Sequence, residues 1–595
     1  MIVKMKSIAV LGLESHTDTI LNELRDIGVM HVRHVKSPEG RSLESLSDEI
    51  GQANAVLNLL PEWKERSSST DEGKSLIGKV FALGERRRVL EDELNQLRRE
   101  AARVAFLDSF GPEDIEQLAG KDVKLRLFEC PLKEESKIPS DLVHIKVGER
   151  DKKSVFAAVS YQEHGELPFD EMPIPARSVS QVQQLIQEKE AERDKVESEL
   201  EGFAPLRGQV EKTLVELENE RELERVRAGK GEEEQVIFIR GYCPIPDLER
   251  LNYAAEKNAW GLVVSEPEDG EEPPTLLKKP GWVKVVDPVF DFIKTVPGYR
   301  EFDISMWFLL FFSIFFAMLI GDAGYGLIFL GLTAFAQIKF GKKIKLKEPF
   351  YLMYVLGFCT LAYGAVTGNW FGVEAIGRAS PFSYFVIPSL NAFSSASQST
   401  VMLICFYIGA IQLSIGHLLV AFRYINSLKA VEQIGWILVL WAAFFLARLL
   451  VLGHELPSFF MTLGISGIGL VLLSILLDRL KRKNLFMSVY DLVFSCINAF
   501  ADSMSYIRLF AVGMATLAVA QSFNEMAVGT VGFANVFTGF AAALILFLGH
   551  SLNIVLALMA VVVHGVRLNM LEFSGHVGNT WSGYDYTPFE KKAVD

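Results

Sequence analysis

Cysteine is scarce in this chain and is never paired in sequence. The 595 residues contain five cysteines, spread from Cys130 to Cys496 without any CxxC spacing. Such an odd, scattered set argues against a disulfide framework and a zinc site, and no cofactor is expected. The N-terminus also lacks the long apolar core and cleavage site of a signal peptide. We therefore interpret MIVKMKSIAVLGL as the first strand of a region that stays in the cytoplasm.

Charge is sparse in the second half of the chain. Residues 1–300 hold 43 lysines and arginines against 58 aspartates and glutamates, whereas residues 301–595 hold 17 and 15. The acidic first half disfavours nucleic acid as a partner, because phosphate binding needs clustered cations. The contrast predicts a cytoplasmic region over residues 1–295 and a transmembrane domain over residues 296–595.

Long apolar runs are confined to the second half, where eight stretches are long enough to cross a lipid bilayer. They lie at about 303–321, 323–340, 349–371, 399–422, 433–453, 457–478, 487–526 and 533–573. The last two run for about 40 residues, or about 60 Å as helix, against a bilayer core of about 30 Å. These two helices must therefore tilt, bend or protrude.

The loops between the spans differ in charge, and this difference indicates their orientation. A cytoplasmic first half places three loops and the C-terminus on its own side, with Lys342, Lys343, Lys345, Lys347, Arg423, Lys429, Arg479, Lys481, Arg482, Lys483, Lys591 and Lys592. The opposite loops carry Arg378. This asymmetry predicts a multi-pass integral membrane protein with both termini cytoplasmic, which in a prokaryote would lie in the cell or plasma membrane.

The first half combines strand and helix patterns. Strand–helix–strand segments near 1–50 and 230–270 predict two small α/β lobes. The fold class expected is therefore multi-domain, with α/β lobes joined by an antiparallel coiled-coil arm. An all-α transmembrane domain of eight helices follows, the last two being long and tilted.

The coiled-coil arm is predicted from apolar residues at heptad spacing. They recur near 80–107 and 180–228, and Pro205 interrupts the second helix. A distal lobe of strands and loops near 108–178 is expected at the tip of this hairpin. A solvated helix pair without any partner is the alternative, although two helices of this length are more typical of a stalk.

Two glycine motifs lead to different conclusions. The GKS at 73–75 resembles the end of a phosphate-binding loop, but Ser68 stands where a glycine is needed, so no bound nucleotide is expected.

GDAGYG at 321–326 lies between the first two spans. Its glycines permit a tight turn and its aspartate can cap the next helix, and an ion exit path is the alternative role. The residues concerned are Gly321, Asp322, Gly324 and Gly326.

Arg508 lies near the middle of the seventh span. Arginine is costly within a bilayer and marks a functional site by default. A structural ion pair with Asp502 is the alternative, although residues six apart do not share a helix face. Small side chains on the face of Arg508 would let another helix slide past it, and they are Ala501, Ser505, Ala511, Ala515, Ala518 and Ser522.

The eighth span carries a second polar line. Residues spaced by three and four share one helix face, and here they are His550, Asn553, Ala557, Ala560, His564 and Arg567. Such a line predicts a hydrated ion path through the membrane. Glu525 and Glu572, near the ends of the last two helices, are expected to attract cations to the mouths of this path.

These segments resemble one known family. SYIRLFAVGMA around Arg508 resembles the membrane arginine signature of subunit a, also called subunit I, of archaeal and vacuolar-type rotary ATPases. GDAGYG, RLNMLEF at 567–573 and the terminal Pro588-Phe589 resemble further motifs of that family. The resemblance spans nearly the whole chain.

The resemblance implies a non-catalytic stator subunit in a membrane-embedded rotary motor. Arg508, helped by Arg567, would meet each carboxylate of a rotating proteolipid c-ring and separate two ion half-channels. The acidic lobes would dock on peripheral-stalk subunits of the E/G type and central-stalk collar subunits of the C/d type. Further candidate residues for ion translocation are Asp502, Ser505, Glu525, His550, Asn553, His564 and Glu572.

Several questions stay open at the level of sequence. Some relatives place a carboxylate in the eighth span, where this chain has Ala557 and Ala560, so the half-channel ligands are undecided. The coupling ion, H⁺ or Na⁺, and the direction of ATP turnover are undecided too. A secondary transporter would explain the spans without the stalk, and repeated halves are not visible. A membrane scaffold would leave Arg508 without a purpose.

Overall fold

The structure is a computed structural model that divides the chain into two compact units. It describes residues 1–63, 72–104, 117–121, 123–131, 143–150, 153–160, 169–172, 177–268, 270–342, 344, 346–479, 485–531 and 536–593. The unit that we call the membrane unit comprises Met1–Ile8, Tyr242–Arg250 and Val264–Pro588. The N-terminal unit comprises Ala9–Gly241, Leu251–Val263 and Phe589–Asp595.

The elements up to residue 265 alternate between strands and helices. They are β1 (Met5–Leu13), α1 (Thr17–Ile27), β2 (His31–Arg33), α2 (Arg41–Leu59), α3 (Gly73–Val104), β3 (Lys124–Pro131), β4 (His144–Arg150), β5 (Lys153–Ser160), β6 (Asp170–Met172), α4 (Val179–Gly202), α5 (Arg207–Gly229), β7 (Gly231–Glu233), β8 (Val236–Pro244), α6 (Leu248–Lys257) and β9 (Gly261–Ser265).

The two predicted strand–helix–strand segments form one sheet. Its strand order is β2-β8-β1-β9, and β7 pairs with β8. The sequence placed these segments in separate lobes near 1–50 and 230–270, and this separation is corrected here. Each segment alone would leave the backbone groups of its strands unpaired, whereas the shared sheet pairs β1 on both sides.

The second sheet has the order β4-β5-β3-β6 and is antiparallel. Its inward-facing residues include Phe128, Cys130 and Phe156, which are buried together. These strands fall within the predicted distal lobe, of which residues 108–116, 122, 132–142, 151–152, 161–168 and 173–176 lie outside the described residues. The extent of that lobe therefore stays a prediction.

The long helices of the N-terminal unit pack in two pairs, α3 with α4 and α2 with α5. Leu90, Val196 and Leu217 are among the buried apolar residues between them. A 3-10 turn at Ala204–Leu206 separates α4 from α5, because Pro205 cannot donate the backbone hydrogen bond that a continuous helix needs. The sequence predicted this interruption, whereas α2 was not predicted.

Charged side chains also bridge α3 and α4. Arg98 donates to Glu190 at 2.7 Å, and the Lys189 ammonium lies 2.9 Å from Glu93. Arg86 pairs with Glu192 in the same way. All these groups are partly exposed, so each pair contributes less than about 1 kcal/mol, and the buried apolar residues provide most of the pairing energy.

The membrane unit is helical. Its helices are α7 (Asp287–Ile293), α8 (Ser305–Ile320), α9 (Ala323–Phe340), α10 (Glu348–Thr367), α11 (Glu374–Arg378), α12 (Ser395–Arg423), α13 (Leu428–Leu452), α14 (Phe460–Arg479), α15 (Leu485–Ser505), α16 (Ile507–Asn524), α17 (Val536–Ala560) and α18 (Ser574–Val577). Segments of π-helix follow α16 at Glu525–Val531 and follow α17 at Val561–Gly565 and Leu568–Phe573.

Seven helices among the described residues are long and apolar enough to cross a membrane. They correspond to the second to eighth predicted spans. The last two run over Leu492–Gly529 and Val536–Val577, 38 and 42 residues, which agrees with the unusual length expected from the sequence. Ser305–Ile320, the predicted first span, is apolar but has 16 residues. The count of eight spans therefore stays a prediction.

Helix α8 is central to the membrane unit. Twelve of its 16 residues are buried, and it presents apolar side chains on every side. Five of the twelve are phenylalanines, namely Phe308, Phe311, Phe312, Phe315 and Phe316. A helix that is apolar all round is stable where other helices surround it, and α10, α16 and α17 pack against α8.

Candidate functional site

Arg508 lies in the first turn of α16 and makes a short ion pair. Its Nη2 donates to Glu572 Oε1 at 2.6 Å, and its Nε donates to the carbonyl of Ser505 at 3.0 Å. The Glu572 side chain is 5% exposed, and that of Arg508 is 23% exposed. Arg567 Nε lies 3.5 Å from the same carboxylate oxygen, with its side chain 54% exposed. Two arginines therefore share one buried carboxylate.

This contact corrects the predicted place of Glu572. The sequence placed it at the mouth of a path, but it is buried beside Arg508. Residues five apart on an α-helix point about 140° away from each other, so Arg567 and Glu572 were not expected to meet. The segment Leu568–Phe573 is π-helical, and its bonding over five residues brings residues five apart nearly into line.

Asp502, the alternative ion-pair partner that the sequence offered for Arg508, contacts a different residue in the structure. Asp502 Oδ2 lies 3.0 Å from His576 Nε2, so its hydrogen-bond partner is that imidazole. Arg508 and Asp502 stand on opposite sides of the break between α15 and α16 at Tyr506. The ion pair that the sequence left open for Arg508 is therefore made with Glu572.

Tyr506 anchors the start of α16. Its side chain is fully buried, and its ring lies against Gly409 of α12, where a Cβ atom would come within 2.6 Å of the ring. Its hydroxyl donates to Gln412 at 2.9 Å, and Gln412 donates to Asn569 at 2.9 Å. These bonds fix the helix turn that carries Arg508, and α12 was not expected to contribute to the site.

The face of Arg508 is open in this chain. The small residues flanking it are exposed or half-exposed along α15 and α16, over about six helix turns. We call this face the small-residue stripe, and it consists of Ala501, Ser505, Arg508, Ala511, Ala515, Ala518 and Ser522. Glu525, at the end of the stripe, is exposed as well. A second helix can therefore approach Arg508 along this face.

His550 and Asn553, the first two residues of the polar line on the eighth span, belong to a hydrogen-bonded cluster. Tyr325 Oη lies 2.7 Å from His550 Nδ1 and accepts a bond from Asn553 at 3.0 Å. His550 Nε2 lies 3.1 Å from Asn524 Oδ1, and Asn553 also donates to the carbonyl of Thr516 at 2.9 Å. His550 and Asn553 are thus joined to the GDAGYG turn through its tyrosine.

The predicted line is not continuous along this helix. Ala557 is fully buried between the Tyr325 cluster and Arg567. His564 lies beyond it, and its buried Nδ1 atom has no hydrogen-bond partner among the described residues. The six residues therefore divide into two groups, one in the Tyr325 cluster and one in the neighbourhood of Arg508. A hydrated path along the whole face stays a prediction.

GDAGYG forms a tight turn between α8 and α9. Gly321 ends α8 with a φ of 64°, a conformation that favours glycine. A Cβ atom at Gly326 would lie 2.6 Å from the backbone of Leu361, so glycine lets α9 and α10 touch. Asp322 caps α9, and its two oxygens accept four backbone N–H bonds, from Gly324, Tyr325, Phe371 and Gly372.

We expect Asp322→Ala to destabilise the membrane unit by about 3 kcal/mol or more, because the N–H groups of Gly324, Tyr325 and Phe371 lose their acceptor, whereas that of Gly372 keeps its bond to Asn369. Asp322→Asn should be milder, since one amide oxygen can keep the three bonds that Oδ1 accepts. The measurement is the thermal unfolding temperature of the purified complex. Equal temperatures for wild type and Asp322→Ala would contradict this structural role.

Two histidines from distant parts of the chain, His417 and His576, are in contact with each other next to Asp502. His576 Nδ1 lies 2.9 Å from His417 Nε2, and His417 Nδ1 lies 2.6 Å from Gln433 Oε1. With Asp502 these residues form what we call the histidine cluster. Sequence reasoning named Asp502 and missed the others, since residues 159 positions apart show no local pattern. Among the described residues, no group of three His, Cys, Asp or Glu side chains is arranged to hold a metal ion.

Comparisons with known proteins show full-length relatives. The chain is 30% identical over 629 residues to V-type ATP synthase subunit I 1 of Treponema pallidum, and the match covers 100% of both chains. It is 29% identical over 627 residues to V-type ATP synthase subunit I of Borreliella burgdorferi, covering 99% of this chain and 100% of that one.

More distant similarities extend this set. The A-type ATP synthase subunit I of Methanocaldococcus jannaschii is 25% identical over 459 residues, which cover 70% of this chain and 64% of that protein. A crystal structure of the cytoplasmic N-terminal domain of a V-ATPase subunit I aligns with 44% of this chain and 99% of that one, at 14% identity and a TM-score of 0.22. No family model matches the chain.

Proposed function

Because this chain belongs to the subunit I family of V-type and A-type ATP synthases, we propose that it is the membrane stator of a rotary ATPase. It is an integral membrane protein and a non-catalytic subunit of the complex. It carries ions past a rotating proteolipid c-ring, and ring rotation couples this flow to ATP turnover in other subunits.

The observation that carries this proposal is the setting of Arg508. It is a permanent cation in the seventh membrane span, and it lies on the open small-residue stripe. A guanidinium does not lose its proton at any working pH, so it holds a passing ring carboxylate in its ionised form. An ionised carboxylate has released its ion, and it can accept another only after it moves past Arg508.

Glu572 fits the same mechanism. It provides a counter-charge for Arg508 when no ring carboxylate is present, which limits the cost of a buried cation. The exposed side of Arg508 stays free to approach the ring. Arg567 contacts the same carboxylate oxygen at a longer distance, in agreement with a helper role.

Two offset half-channels are needed on either side of Arg508. The Tyr325 cluster, with His550, Asn553 and Asn524, supplies polar groups toward the GDAGYG turn. We assign the outer half-channel to this region. Asp502 and Ser505 lie on the other side of Arg508, where the inner half-channel begins.

The N-terminal unit serves as the cytoplasmic arm. It comprises the α/β region, the antiparallel coiled coil of α3 to α5 and the distal lobe, and it docks on E/G-type peripheral-stalk and C/d-type collar subunits. Lys342, Lys347, Arg423 and Lys429 support this orientation, because cytoplasmic loops are rich in cations. Lys343, Lys345 and Lys481–Lys483 lie outside the described residues. We count α8 as the first of eight spans, since an odd number would separate the termini.

We expect this chain to copurify with a proteolipid ring and with ATPase-head subunits when its tagged form is extracted in mild detergent. Vesicles that contain the complex should take up H⁺ or Na⁺ on addition of ATP. Uptake of H⁺ is measured in the absence of sodium, and uptake of Na⁺ in its presence. A secondary transporter would instead purify without a ring and transport its substrate without ATP. That result would refute the stator function.

A further inference from the structure

The histidine cluster links four side chains from four helical elements by three consecutive contacts. Asp502 is on α15, His576 on α18, His417 on α12 and Gln433 on α13. The contacts measure 3.0, 2.9 and 2.6 Å in this order. Each imidazole uses one nitrogen toward each neighbour, so the hydrogen bonds run without interruption from a carboxylate to an amide.

The packing around the cluster holds the rings in this geometry. A Cβ atom at Gly416 would lie 3.4 Å from the Cβ atom of His576, an ordinary van der Waals distance, so α12 and α18 lie close together beside the cluster. The rings of His417 and His576 meet nearly at right angles, with their centroids 4.9 Å apart. His417 is 6% exposed, whereas the Asp502 side chain is 30% exposed. The cluster is therefore buried in the bundle and open at its carboxylate end.

The open end lies beside the small-residue stripe. Asp502 follows Ala501 of the stripe and precedes Ser505 by one helix turn. At the other end, His417 is six residues before the end of α12, and Gln433 is in the second turn of α13. Both positions are close to the loop with Arg423 and Lys429, on the side proposed to be cytoplasmic.

We propose that the histidine cluster is the proton relay of the inner half-channel and that the ion carried by this subunit is therefore H⁺. This inference rests on the proposed function, because it needs the ring to pass Asp502. The relay connects the cytoplasmic end of α13 to the ring-facing carboxylate.

The proton balance of such a relay closes. Before transfer, Asp502 is ionised and accepts from His576 Nε2–H, and His576 Nδ1 accepts from His417 Nε2–H. A proton that arrives from the cytoplasm binds His417 Nδ1. His417 then passes its Nε2 proton to His576, and His576 passes its own Nε2 proton to Asp502. One proton has entered and one is ready for the ring carboxylate, with both imidazoles again neutral.

Gln433 allows the relay to reset. After transfer, both imidazoles carry their proton on Nδ1, and the Gln433 amide oxygen accepts from His417 Nδ1–H, as in the structure. A rotation of this amide by half a turn presents its NH₂ group in place of its oxygen. The NH₂ group can then donate to His417 Nδ1, which is unprotonated in the starting state. The ring tautomers must then invert, and the cluster returns to its first state after Asp502 has delivered its proton.

The same chemistry does not suit sodium. Hard cations prefer several oxygen ligands around one point. In the cluster, the oxygens of Asp502 and Gln433 are separated by two imidazole rings. A chain that moves protons by hydrogen-bond exchange needs no such cage, and this difference selects H⁺ over Na⁺.

The experiment compares ion transport in cytoplasm-out vesicles that contain the whole complex. His576→Gln and His417→Gln keep a hydrogen-bonding side chain that does not take up a proton. We expect ATP-driven acidification to fall at least about tenfold in each, as for loss of a positioned proton donor. A larger slowing in D₂O than in wild type should accompany the loss, which a purely structural role would not produce. His454→Gln, an exposed histidine in the loop before α14, is the matched control.

Three outcomes separate the possibilities. ATP-driven sodium uptake by wild type that persists with a protonophore would overturn the relay but leave the stator function intact. Wild-type acidification in both variants would show that the cluster has a packing role. No ATP-driven transport of either ion by wild type would refute the stator function itself. The wild-type measurement decides between the ions even if the variants fail to assemble.

Discussion

Arg508→Ala is expected to abolish ATP-driven ion transport while the complex still assembles. The guanidinium supplies a charge at the stripe, and the fold depends more on Tyr506, which is fully buried. Without Arg508, a ring carboxylate keeps its ion as it passes, and the two half-channels are no longer separated. The measurement is ATP-driven acidification, or sodium uptake, in vesicles matched for complex content.

Arg508→Lys should fail or be severely impaired as well. Lysine keeps a positive charge at neutral pH, but it loses the planar fork that reaches both Glu572 and the Ser505 carbonyl. Its ammonium can also lose its proton when buried, which a guanidinium does not do. The effect should therefore follow the permanence and geometry of the charge.

A matched control tests whether any membrane arginine has this effect. Arg448 lies near the end of α13, away from the stripe, and donates to the carbonyl of Glu455 at 3.0 Å. Arg448→Ala should leave transport within about twofold of wild type, since surface hydrogen bonds contribute little. Near-normal transport by Arg508→Ala would remove the basis of the stator mechanism and leave Arg508 as a structural ion pair with Glu572.

The membrane helices could be predicted because their signal is local. Predicted and observed bounds of the second span are both 323–340, and those of the others differ by a few residues. The sheet could not be predicted in the same way. Strands β1 and β8 are more than 200 residues apart in sequence, and their pairing depends on contacts that no local pattern records.

Arg508 could be predicted because an arginine within an apolar run is a rare and costly feature. Its partner could not. The α-helical period turns Glu572 away from Arg567, and the π-helical segment that reverses this has no simple sequence signal. His417 and His576 were not predicted for another reason, since each is a single histidine on its own helix. Only their contact with each other in the folded chain identifies them as candidate functional residues.

Glu572 is the second residue for which we expect a large effect. Glu572→Gln conserves volume but removes the counter-charge of a guanidinium that is 23% exposed. Breaking a buried pair by removing one partner costs about 3 kcal/mol or more. We expect the complex to be less stable to heat and transport to fall at least about tenfold, since Arg508 loses its defined position. Glu455→Gln, an exposed residue, is the control.

A double substitution distinguishes stability from transport. In Arg508→Ala/Glu572→Ala neither charge is left unpaired, so the double variant should be more stable to heat than Glu572→Ala alone, a coupling that a double-mutant cycle measures. Its transport should nevertheless stay at zero, because the cation that meets the ring carboxylate is gone. Arg567→Ala should do less harm than either, since Arg567 is more exposed and lies farther from Glu572. Recovery of transport together with stability would mean that the pair holds the helices together and does not act on ions.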